Sequence, residues 1–332
     1  MPEADIALYS PDPKGRVTGG FLYNAQLFEQ LAALSWRTGL ATDPLIDLGT
    51  PVHVVDSLMA AHYMEVKRTA EKALFIYHLP PYTGQSVPAH WMQAESLLLK
   101  DGRIVVTGTQ AFELLQARHR LSTEEMTALV PVITPGIAQG WQRKVQFAEL
   151  PQNIVVVASI IAEKGIERII DLLAALRHLN WTCHLYGEAR QDSGFHQAMV
   201  SKVAALGLSE RIVFAGTVAR DAVNGVMQNA DLLLNFSQFE TYSMVTAEAI
   251  ATGLPVLSFP VGEKSEFEKA KNVRYIAAYD VEGQQRVLTD LLTYKRQYAA
   301  LCHADVMPVK TWPVVAQQWI QLFQRQIKGE AA

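Results

Sequence analysis

Short apolar runs alternate with longer amphipathic segments along most of the chain. A short apolar run bounded by turn residues predicts a buried strand, and apolar residues three and four positions apart predict a helix. The strands predicted in this way cover residues 6–9, 52–56, 73–78, 104–108, 154–158, 181–188, 211–218, 230–236, 255–259 and 273–276. The predicted helices cover residues 21–36, 59–72, 109–120, 166–179, 195–206, 221–228, 244–251, 281–302 and 312–327, with one more ending near residue 99. This alternation in both halves predicts an α/β fold of two Rossmann-like, doubly wound domains that face each other across a cleft.

A polar stretch near the middle of the chain separates the two halves. Residues 139–153 are more polar than the segments around them and contain Pro151, which is typical of an inter-domain linker. We therefore expect a first domain over residues 1–145, a second over residues 152–310, and a separate C-terminal helix within residues 311–332.

Composition and charge narrow the class of protein. The 332 residues are 49% hydrophobic and 19% charged with a net charge of −4, so there is no basic field for nucleic acid. The sequence shows no apolar run of the roughly 18 residues that span a bilayer and no apolar leader at the N-terminus. Cys183 and Cys302 lack the spacing of a metal or redox pair. We expect a cytoplasmic protein that could also act at the inner face of a membrane, and that could bind a protein partner or form an oligomer.

Residues 239–257 carry the most distinctive chemistry. Glu240 and Glu248 stand eight positions apart, about 2.2 helical turns, so a helix that starts near Thr241 would place both carboxylates near one face. The N-terminus of a helix that follows a parallel strand attracts phosphate through its free amides. Amides for phosphate and two carboxylates for hydroxyl groups outline a nucleotide-sugar site.

The same segment resembles a known family. Glu240-x7-Glu248, followed by Ala-Ile-Ala-Thr-Gly-Leu-Pro-Val over residues 249–256, is similar to the signature of retaining glycosyltransferases of family 4. The resemblance implies the GT-B fold and a metal-independent hexosyltransferase that moves a sugar from a nucleotide-diphosphate sugar to an acceptor hydroxyl with retention. It places Glu240 beside the donor sugar and Glu248 on the ribose. It implies that the diphosphate is bound by the backbone amides of the residues that follow Glu240, namely Thr241, Tyr242, Ser243, Met244 and Val245.

The resemblance carries further residues into the candidate site. It implies a catalytic Lys164 on the leaving diphosphate and a catalytic His78, at the end of a buried strand, near the donor sugar. It also implies that the final helix crosses back to the first, acceptor-side domain. The remaining nucleotide or donor contacts that it implies are Gly19, Gly20, Ser159, Gly187, Thr217 and Val218.

Two departures from the family pattern stand in this site. The family has an arginine where this chain has Ser159, so one positive charge on the diphosphate is missing unless Arg16 or Lys264 replaces it. The family's Gly-Phe-Gly turn is Thr241-Tyr242-Ser243 here. These departures leave two alternatives open: a non-catalytic GT-B-like partner subunit, and a nucleotide-sugar epimerase or hydrolase on the same fold.

Other parts of the prediction stay general. The acceptor is a glycan, a lipid-linked molecule or a protein, and the sequence does not distinguish these classes. No Asp-x-Asp motif, Walker loop or Cys/His cluster supports a metal ion or another cofactor. Each candidate also has an ordinary structural explanation: Glu240 as a helix cap, Glu248 and Lys164 as solvated charges, and His78 as a histidine bonded to the proline-rich loop after it.

Overall fold

The protein is described by a computed structural model over residues 5–12, 18–46, 48–67, 73–141, 143–189, 194–302 and 307–328. The chain divides into two compact units. The first contains residues 1–136 together with residues 310–332, and the second contains residues 137–309.

The first unit alternates strands and helices. Its elements up to the division are β1 (Ile6–Tyr9), α1 (Gly19–Ala33), β2 (Thr38–Ala41), β3 (Val52–Asp56), α2 (Ala60–Lys67), β4 (Ala73–Tyr77), α3 (Ala89–Lys100), β5 (Ile104–Val106), α4 (Thr109–His119) and α5 (Thr123–Leu129).

The second unit repeats the alternation. Its elements are β6 (Asn153–Val157), α6 (Ile166–Ala175), β7 (Thr182–Tyr186), α7 (Phe195–Ala205), β8 (Ile212–Gly216), α8 (Val223–Asn229), β9 (Leu232–Asn235), α9 (Met244–Thr252), β10 (Val256–Ser258), α10 (Lys264–Phe267), β11 (Val273–Tyr275), α11 (Val281–Thr293) and α12 (Lys295–Cys302). The last helix, α13 (Trp312–Lys328), belongs to the first unit.

The sheet of the first unit is parallel and has the strand order β2-β1-β3-β4-β5 within the described residues. This is a doubly wound order whose direction of winding changes between β1 and β3, and such switch points form crevices at the carboxyl ends of the strands. Helix α13 packs on α1, where the Trp319 Nε1–H donates to the Tyr23 hydroxyl at 2.8 Å. The Tyr23 hydroxyl donates in turn to the Ile133 carbonyl at 2.9 Å, so α13 is tied into the core of the first unit.

The sheet of the second unit is also parallel, with the order β11-β10-β9-β6-β7-β8 within the described residues. Read in chain order, this is the 3-2-1-4-5-6 arrangement of a Rossmann domain, and its switch point lies between β6 and β9. The apolar positions of α6, with Ile166, Ile169 and Leu173 fully buried, cover one face of this sheet. The doubly wound architecture predicted for both halves is therefore present.

The division between units falls earlier than the linker predicted from polarity. Residues 137–145 belong to the second unit, although the expected first domain ran to residue 145. Lys144 explains the difference, because its side chain is buried. Its Nζ donates to the Gln228 carbonyl at 3.1 Å and lies 3.6 Å from the Asp231 carboxylate. Lys144 therefore belongs to the interior of the second unit, although its polarity suggested a linker.

Three local elements differ from the predicted ones. Strand β2 escaped prediction because it contains Gly39 and lies at the edge of its sheet, where Leu40 is exposed. Helix α5 was also not predicted, although Ser122 and Glu125 form a capping box at its start. The single helix expected over residues 281–302 is two helices, because Tyr294 has an extended conformation between α11 and α12. None of the described helices is both long and apolar enough to cross a bilayer.

Candidate functional site

The switch point of the second unit holds an ion pair. Lys164 ends a short 3₁₀ turn after β6, and Glu240 lies in the turn after β9. The Lys164 Nζ is 2.6 Å from the Glu240 Oε1, and both side chains are mostly buried. Lys164 and Glu240, two separately predicted site residues, are thus brought together where a doubly wound sheet binds ligands.

Gly165 allows this close approach. It has a left-handed φ of +68°, and a Cβ built on it would lie 2.1 Å from the Phe236 carbonyl oxygen. A side chain at this position would push the turn that carries Lys164 away from the end of β9. The Lys164-Gly165 dipeptide therefore sets the distance across the switch point.

The turn after β9 differs from the geometry expected from sequence. Helix α9 begins at Met244, as the pattern over residues 244–251 predicts, and not near Thr241, the start that a shared face requires. Glu240 therefore lies outside the helix. The expectation that Glu240 and Glu248 share one helix face is wrong, because residues 240–243 form a separate turn. The two acids make different contacts: Glu240 pairs with Lys164 and Glu248 with Arg220.

Ser243, where the family has a glycine, adopts a backbone conformation that favours glycine. Its φ of +72° is left-handed, a strained conformation for a residue with a side chain. Hydrogen bonds offset this strain. The Asn235 Nδ2–H donates to the Ser243 Oγ at 3.0 Å, and the Ser243 and Thr246 hydroxyls are 2.8 Å apart. The loss of the glycine therefore does not remove the turn.

The start of α9 offers free backbone donors. Within the described residues, the amides of Ser243, Met244 and Val245 have no backbone acceptor, as expected for the first turn of a helix. The Tyr242 side chain instead packs edge-on against Phe267, so Tyr242 contributes backbone rather than its ring to this site. Thr241 is half-buried in the same turn.

Glu248 lies deeper in α9 and is almost fully buried, with 2% of its surface exposed. Its Oε1 accepts a hydrogen bond from the Arg220 guanidinium, which comes from a short 3₁₀ turn just before α8. Burial lowers the pKa of Arg220 to about 10, so the guanidinium remains charged at neutral pH. The Trp141 ring centre is 5.8 Å from the guanidinium carbon.

Sequence reasoning missed Arg220. Its only signal is its place, two residues after the strand-Gly-x-Val segment that the resemblance assigns to the nucleotide. Because the partner of Arg220 stands 28 positions further along the chain, no local pattern joins the two residues.

The other nucleotide candidates of the second unit lie at the carboxyl ends of neighbouring strands. Ser159 follows β6, Gly187 follows β7, and Thr217 and Val218 follow β8. A Cβ on Gly187 would lie 1.8 Å from the Ala158 carbonyl oxygen, so the strand ends are in direct contact here. Val218 packs against the apolar cluster under α8 and α9.

The cations suggested as replacements at Ser159 are placed elsewhere or not described. Lys264 pairs with Glu268 at 3.2 Å, and both side chains are about half exposed. Arg16 lies outside the described residues. Among the residues that the structure does describe, no group of three His, Cys, Asp or Glu side chains is placed to hold a metal ion.

His78 belongs to a second polar cluster, at the switch point of the first unit. Asp56 ends β3 and Ser10 follows β1, while Asn24 points from α1 and Thr107 follows β5. The Asn24 Nδ2–H donates to the Asp56 Oδ2 at 2.6 Å, and the Leu58 amide donates to Oδ1 at 2.8 Å. Asp56 is 1% exposed, so its charge is held by these donors.

The hydrogen bonds of this cluster fix the tautomer of His78. Because the Asn24 amide nitrogen faces Asp56, its carbonyl oxygen faces the His78 Nε2 at 3.0 Å. A carbonyl oxygen only accepts, so Nε2 carries the proton and Nδ1 accepts from the Thr107 hydroxyl at 3.2 Å. Burial lowers the pKa of His78, and the nearby Asp56 carboxylate opposes this only in part. The imidazole is therefore neutral with both nitrogens occupied.

Gly20 lies against the ring of His78. A Cβ on Gly20 would be 2.8 Å from the His78 Cδ2, whereas one on Gly19 would meet nothing within 4 Å. Gly20 thus leaves the space that the imidazole fills, while Gly19 is exposed at the first position of α1. Asn24 and Thr107 were not predicted as members of this site. Asn24 could have been found because it is a single asparagine within the apolar pattern of α1.

A comparison with known proteins finds that a family model matches the second half of the chain. Residues 139–301 match the family model described as glycosyl transferases group 1. Mannosylfructose-phosphate synthase of Agrobacterium fabrum is 23% identical over 181 residues, which are 52% of this chain and 40% of that protein. Lipopolysaccharide glucosyltransferase WaaG of Escherichia coli is 25% identical over 255 residues, 72% of this chain and 65% of that protein. The aligned regions therefore span less than two thirds of these relatives.

Solved structures extend the likeness to both units. Sucrose-phosphate synthase from Thermosynechococcus elongatus superposes with a TM-score of 0.77 at 18% identity, covering 98% of this chain and 99% of that chain. Anabaena Alr3699/HepE, solved in complex with UDP and glucose, gives a TM-score of 0.67 at 15% identity, with 98% of each chain covered. At these identities the likeness concerns the fold. Residues 139–301 of this chain thus match the glycosyl transferases group 1 family, and its two units have the fold of the GT-B glycosyltransferases.

Proposed function

We propose that the protein transfers a sugar from a nucleotide-diphosphate sugar to an acceptor hydroxyl, with retention of the anomeric configuration. The observation that carries this proposal is the Lys164–Glu240 pair at 2.6 Å across the β6/β9 switch point. It stands beside the free amides at the start of α9, within the segment that matches the family model.

Lys164 and the α9 amides act on the leaving diphosphate. As the bond to the sugar breaks, negative charge grows on the phosphate oxygens, and donors already in place stabilise that charge without rearrangement. Lys164 supplies a full positive charge, and the amides of residues 243–245 supply the positive end of the helix dipole. With these groups present, the reaction needs no metal ion.

The two glutamates hold the sugar-like parts of the donor. Glu248 accepts hydrogen bonds from the ribose hydroxyls through Oε2, for which the described residues show no partner, while Oε1 is held by Arg220. Glu240 lies at the mouth of the turn and orients the donor sugar. Its bond to Lys164 also keeps the lysine aimed at the switch point.

His78 contributes to sugar positioning by its shape rather than as a base. Both of its nitrogens are already bonded, to Asn24 and Thr107, and its side chain is 15% exposed. A histidine with a free nitrogen would be needed for proton transfer. We therefore propose that the rigidly held His78 ring makes van der Waals contact with the substrate and so positions it.

The acceptor class to try first is suggested by one relative. WaaG is a lipopolysaccharide glucosyltransferase and aligns with 72% of this chain. We propose a polysaccharide or a lipid-linked glycan as the acceptor, reached from the cytoplasmic side, and a protein acceptor as the class to test next.

Calorimetric titration tests the donor site. Nucleoside diphosphates and the matching monophosphates are titrated into the wild type, into Lys164→Met and into the control Lys295→Met, whose lysine pairs with Glu149 at an exposed position. A charge-assisted bond to the β-phosphate predicts that Lys164→Met weakens diphosphate binding by roughly 10-fold to 100-fold, with little change for the monophosphate. Equal losses for both nucleotides, or none, would contradict the role given to Lys164.

Turnover distinguishes transfer from the rival functions. The wild type is incubated with uridine, guanosine and adenosine diphosphate sugars, with and without glycan acceptors, and the anomeric configuration of the product is determined by NMR. Transfer with retention is expected. Equal donor consumption without acceptor would identify a hydrolase or epimerase instead. Ser159, where the family has an arginine, favours the non-catalytic subunit as the second candidate; nucleotide binding with no turnover of any donor would support it.

A further inference from the structure

The Arg220 guanidinium has more hydrogen-bond donors than the protein uses. One N–H group bonds the Glu248 Oε1, and within the described residues the guanidinium has no other hydrogen-bond acceptor. The side chain is 29% exposed, so solvent and ligands have access to part of it. An arginine carries five N–H donors in a planar fork, and a fork with one arm fixed is oriented for a second acceptor.

The position of Arg220 relates it to one part of a nucleotide. Glu248 is the residue that the proposed function assigns to the ribose, and Arg220 is bonded directly to it. The base is attached to the same ribose, so a guanidinium in contact with the ribose carboxylate lies within reach of the base. Arg220 also comes from the segment after β8, at the carboxyl end of the sheet. Trp141, 5.8 Å from the guanidinium carbon, supports the fork from another direction.

The chemistry of the fork selects among bases. A guanidinium donates hydrogen bonds and accepts none. Uracil presents carbonyl oxygens, and guanine presents a carbonyl oxygen beside N7, which an arginine binds with both arms. Adenine presents an amino group beside N7 at the corresponding edge, so one arm would meet another donor.

We propose that Arg220 is a specificity-determining residue that selects donors with an oxo base, uridine or guanosine, over adenosine donors. The geometry that carries the proposal is the oriented, partly exposed fork anchored on Glu248. The inference rests on the proposed function, because Glu248 must hold the ribose for Arg220 to meet the base.

A purely structural role for Arg220 makes a different prediction. If the guanidinium only neutralises the buried Glu248 carboxylate, a lysine serves nearly as well and all nucleotides are affected alike. If it selects the base, a lysine loses the fork while keeping the charge, and the ratio of affinities between bases changes. The ratio is therefore the informative quantity, rather than affinity itself.

The experiment titrates UDP, GDP and ADP into the wild type, Arg220→Lys and the control Arg274→Lys. Arg274 is a suitable control because it lies in the same unit and, among the described residues, its side chain bonds the Gln297 side chain alone, at 3.4 Å on the surface. The wild type and the control are expected to bind UDP or GDP at least about tenfold more tightly than ADP, and Arg220→Lys is expected to bring that ratio close to one. The melting temperature of each variant confirms that it is folded.

Each other outcome overturns the proposal. Wild-type protein that binds ADP as tightly as UDP and GDP contradicts it without any variant, and so does an unchanged ratio in a folded Arg220→Lys. If Arg220→Lys does not fold, Arg220→Gln gives the same comparison, since it keeps a donor but not the fork. Absence of binding for all three nucleotides would instead refute the donor site itself, and the inference with it.

Discussion

The two switch points of this protein are built from similar residue types but differ in how completely they are satisfied. At the first, between β1 and β3, Asp56, Asn24, His78 and Thr107 bond one another at 2.6–3.2 Å. At the second, between β6 and β9, Lys164 and Glu240 form a pair that keeps some exposed surface. Near it, the Arg220 fork and the α9 amides retain donors without acceptors in the described chain.

This difference indicates what each cluster does. A buried network whose members are all bonded fixes local structure, and breaking it costs stability. Donors that are oriented and left open cost little in stability but are available to a ligand. We therefore propose that the first cluster holds the local structure around His78 and that the second binds the nucleotide.

The largest expected effect is on the first cluster. Asp56→Ala leaves the Asn24 Nδ2–H and the Leu58 amide without their acceptor in a buried site. We expect the free energy of unfolding to fall by roughly 3 kcal/mol, measured by urea denaturation. The control Asp5→Ala removes an exposed pair with Arg37 and should cost at most about 1 kcal/mol. If both variants lower the free energy of unfolding equally, the buried network contributes no more to stability than an exposed ion pair.

A glycine pair tests the packing around His78. Gly20→Ala places a methyl group 2.8 Å from the His78 Cδ2 and should lower the free energy of unfolding by about 1–3 kcal/mol. Gly19→Ala meets nothing within 4 Å and should raise it by about 0.5–1 kcal/mol, because alanine is the better helix former. Thermal unfolding of both variants measures this difference, and stabilisation by Gly20→Ala would contradict the close fit.

The pH dependence of stability tests the tautomer of His78. Burial depresses the pKa of His78 in the folded protein, with Asp56 and the ring of Tyr23 as the titratable groups beside it. The unfolded chain therefore takes up a proton first as the pH falls below about 6.5. Stability from this residue is present above that pH and is lost as the pH falls through the folded pKa. Denaturation from pH 7.5 to 5.5 should show a loss about 1 kcal/mol smaller in His78→Gln than in the wild type. A steeper loss in the variant would mean that His78 is charged in the folded protein.

The smallest expected effect on stability is in the second cluster. Lys164→Met breaks a pair that is partly exposed, and the free energy of unfolding should change by no more than about 1 kcal/mol. The same variant is expected to lose most of its diphosphate affinity. A change in stability as large as that of Asp56→Ala would erase the contrast between the two clusters.

Much of this arrangement could be predicted from sequence, for identifiable reasons. The strands buried on both faces are continuous apolar runs, and α6 has apolar residues at helical spacing. The order of such segments along the chain predicted the doubly wound architecture. The resemblance named both Lys164 and Glu240 as site residues, but their 2.6 Å pair was seen only in the structure. The roles of the candidate site residues themselves stay predictions.

Contacts between residues distant in sequence were beyond prediction. Arg220 contacts Glu248 because α8 and α9 lie side by side. No pattern within either segment predicts this contact. Lys144 was predicted to lie in a linker because its surroundings in sequence are polar. Its side chain is buried against Asp231, more than 80 positions away, and no local pattern shows this contact. The start of α9 at Met244 was predicted, but the left-handed backbone of Ser243 before it was not, because sequence associates that conformation with glycine.

The most direct test of the central claim, that Glu248 holds the ribose of a nucleotide, compares ribonucleotides with deoxyribonucleotides. The better-bound nucleoside diphosphate and its 2′-deoxy analogue are titrated into the wild type and into Glu248→Gln. The account predicts that the wild type prefers the ribonucleotide by about tenfold and that this preference largely disappears in the variant. A wild type that binds both forms equally, or a preference that survives in Glu248→Gln, would contradict it.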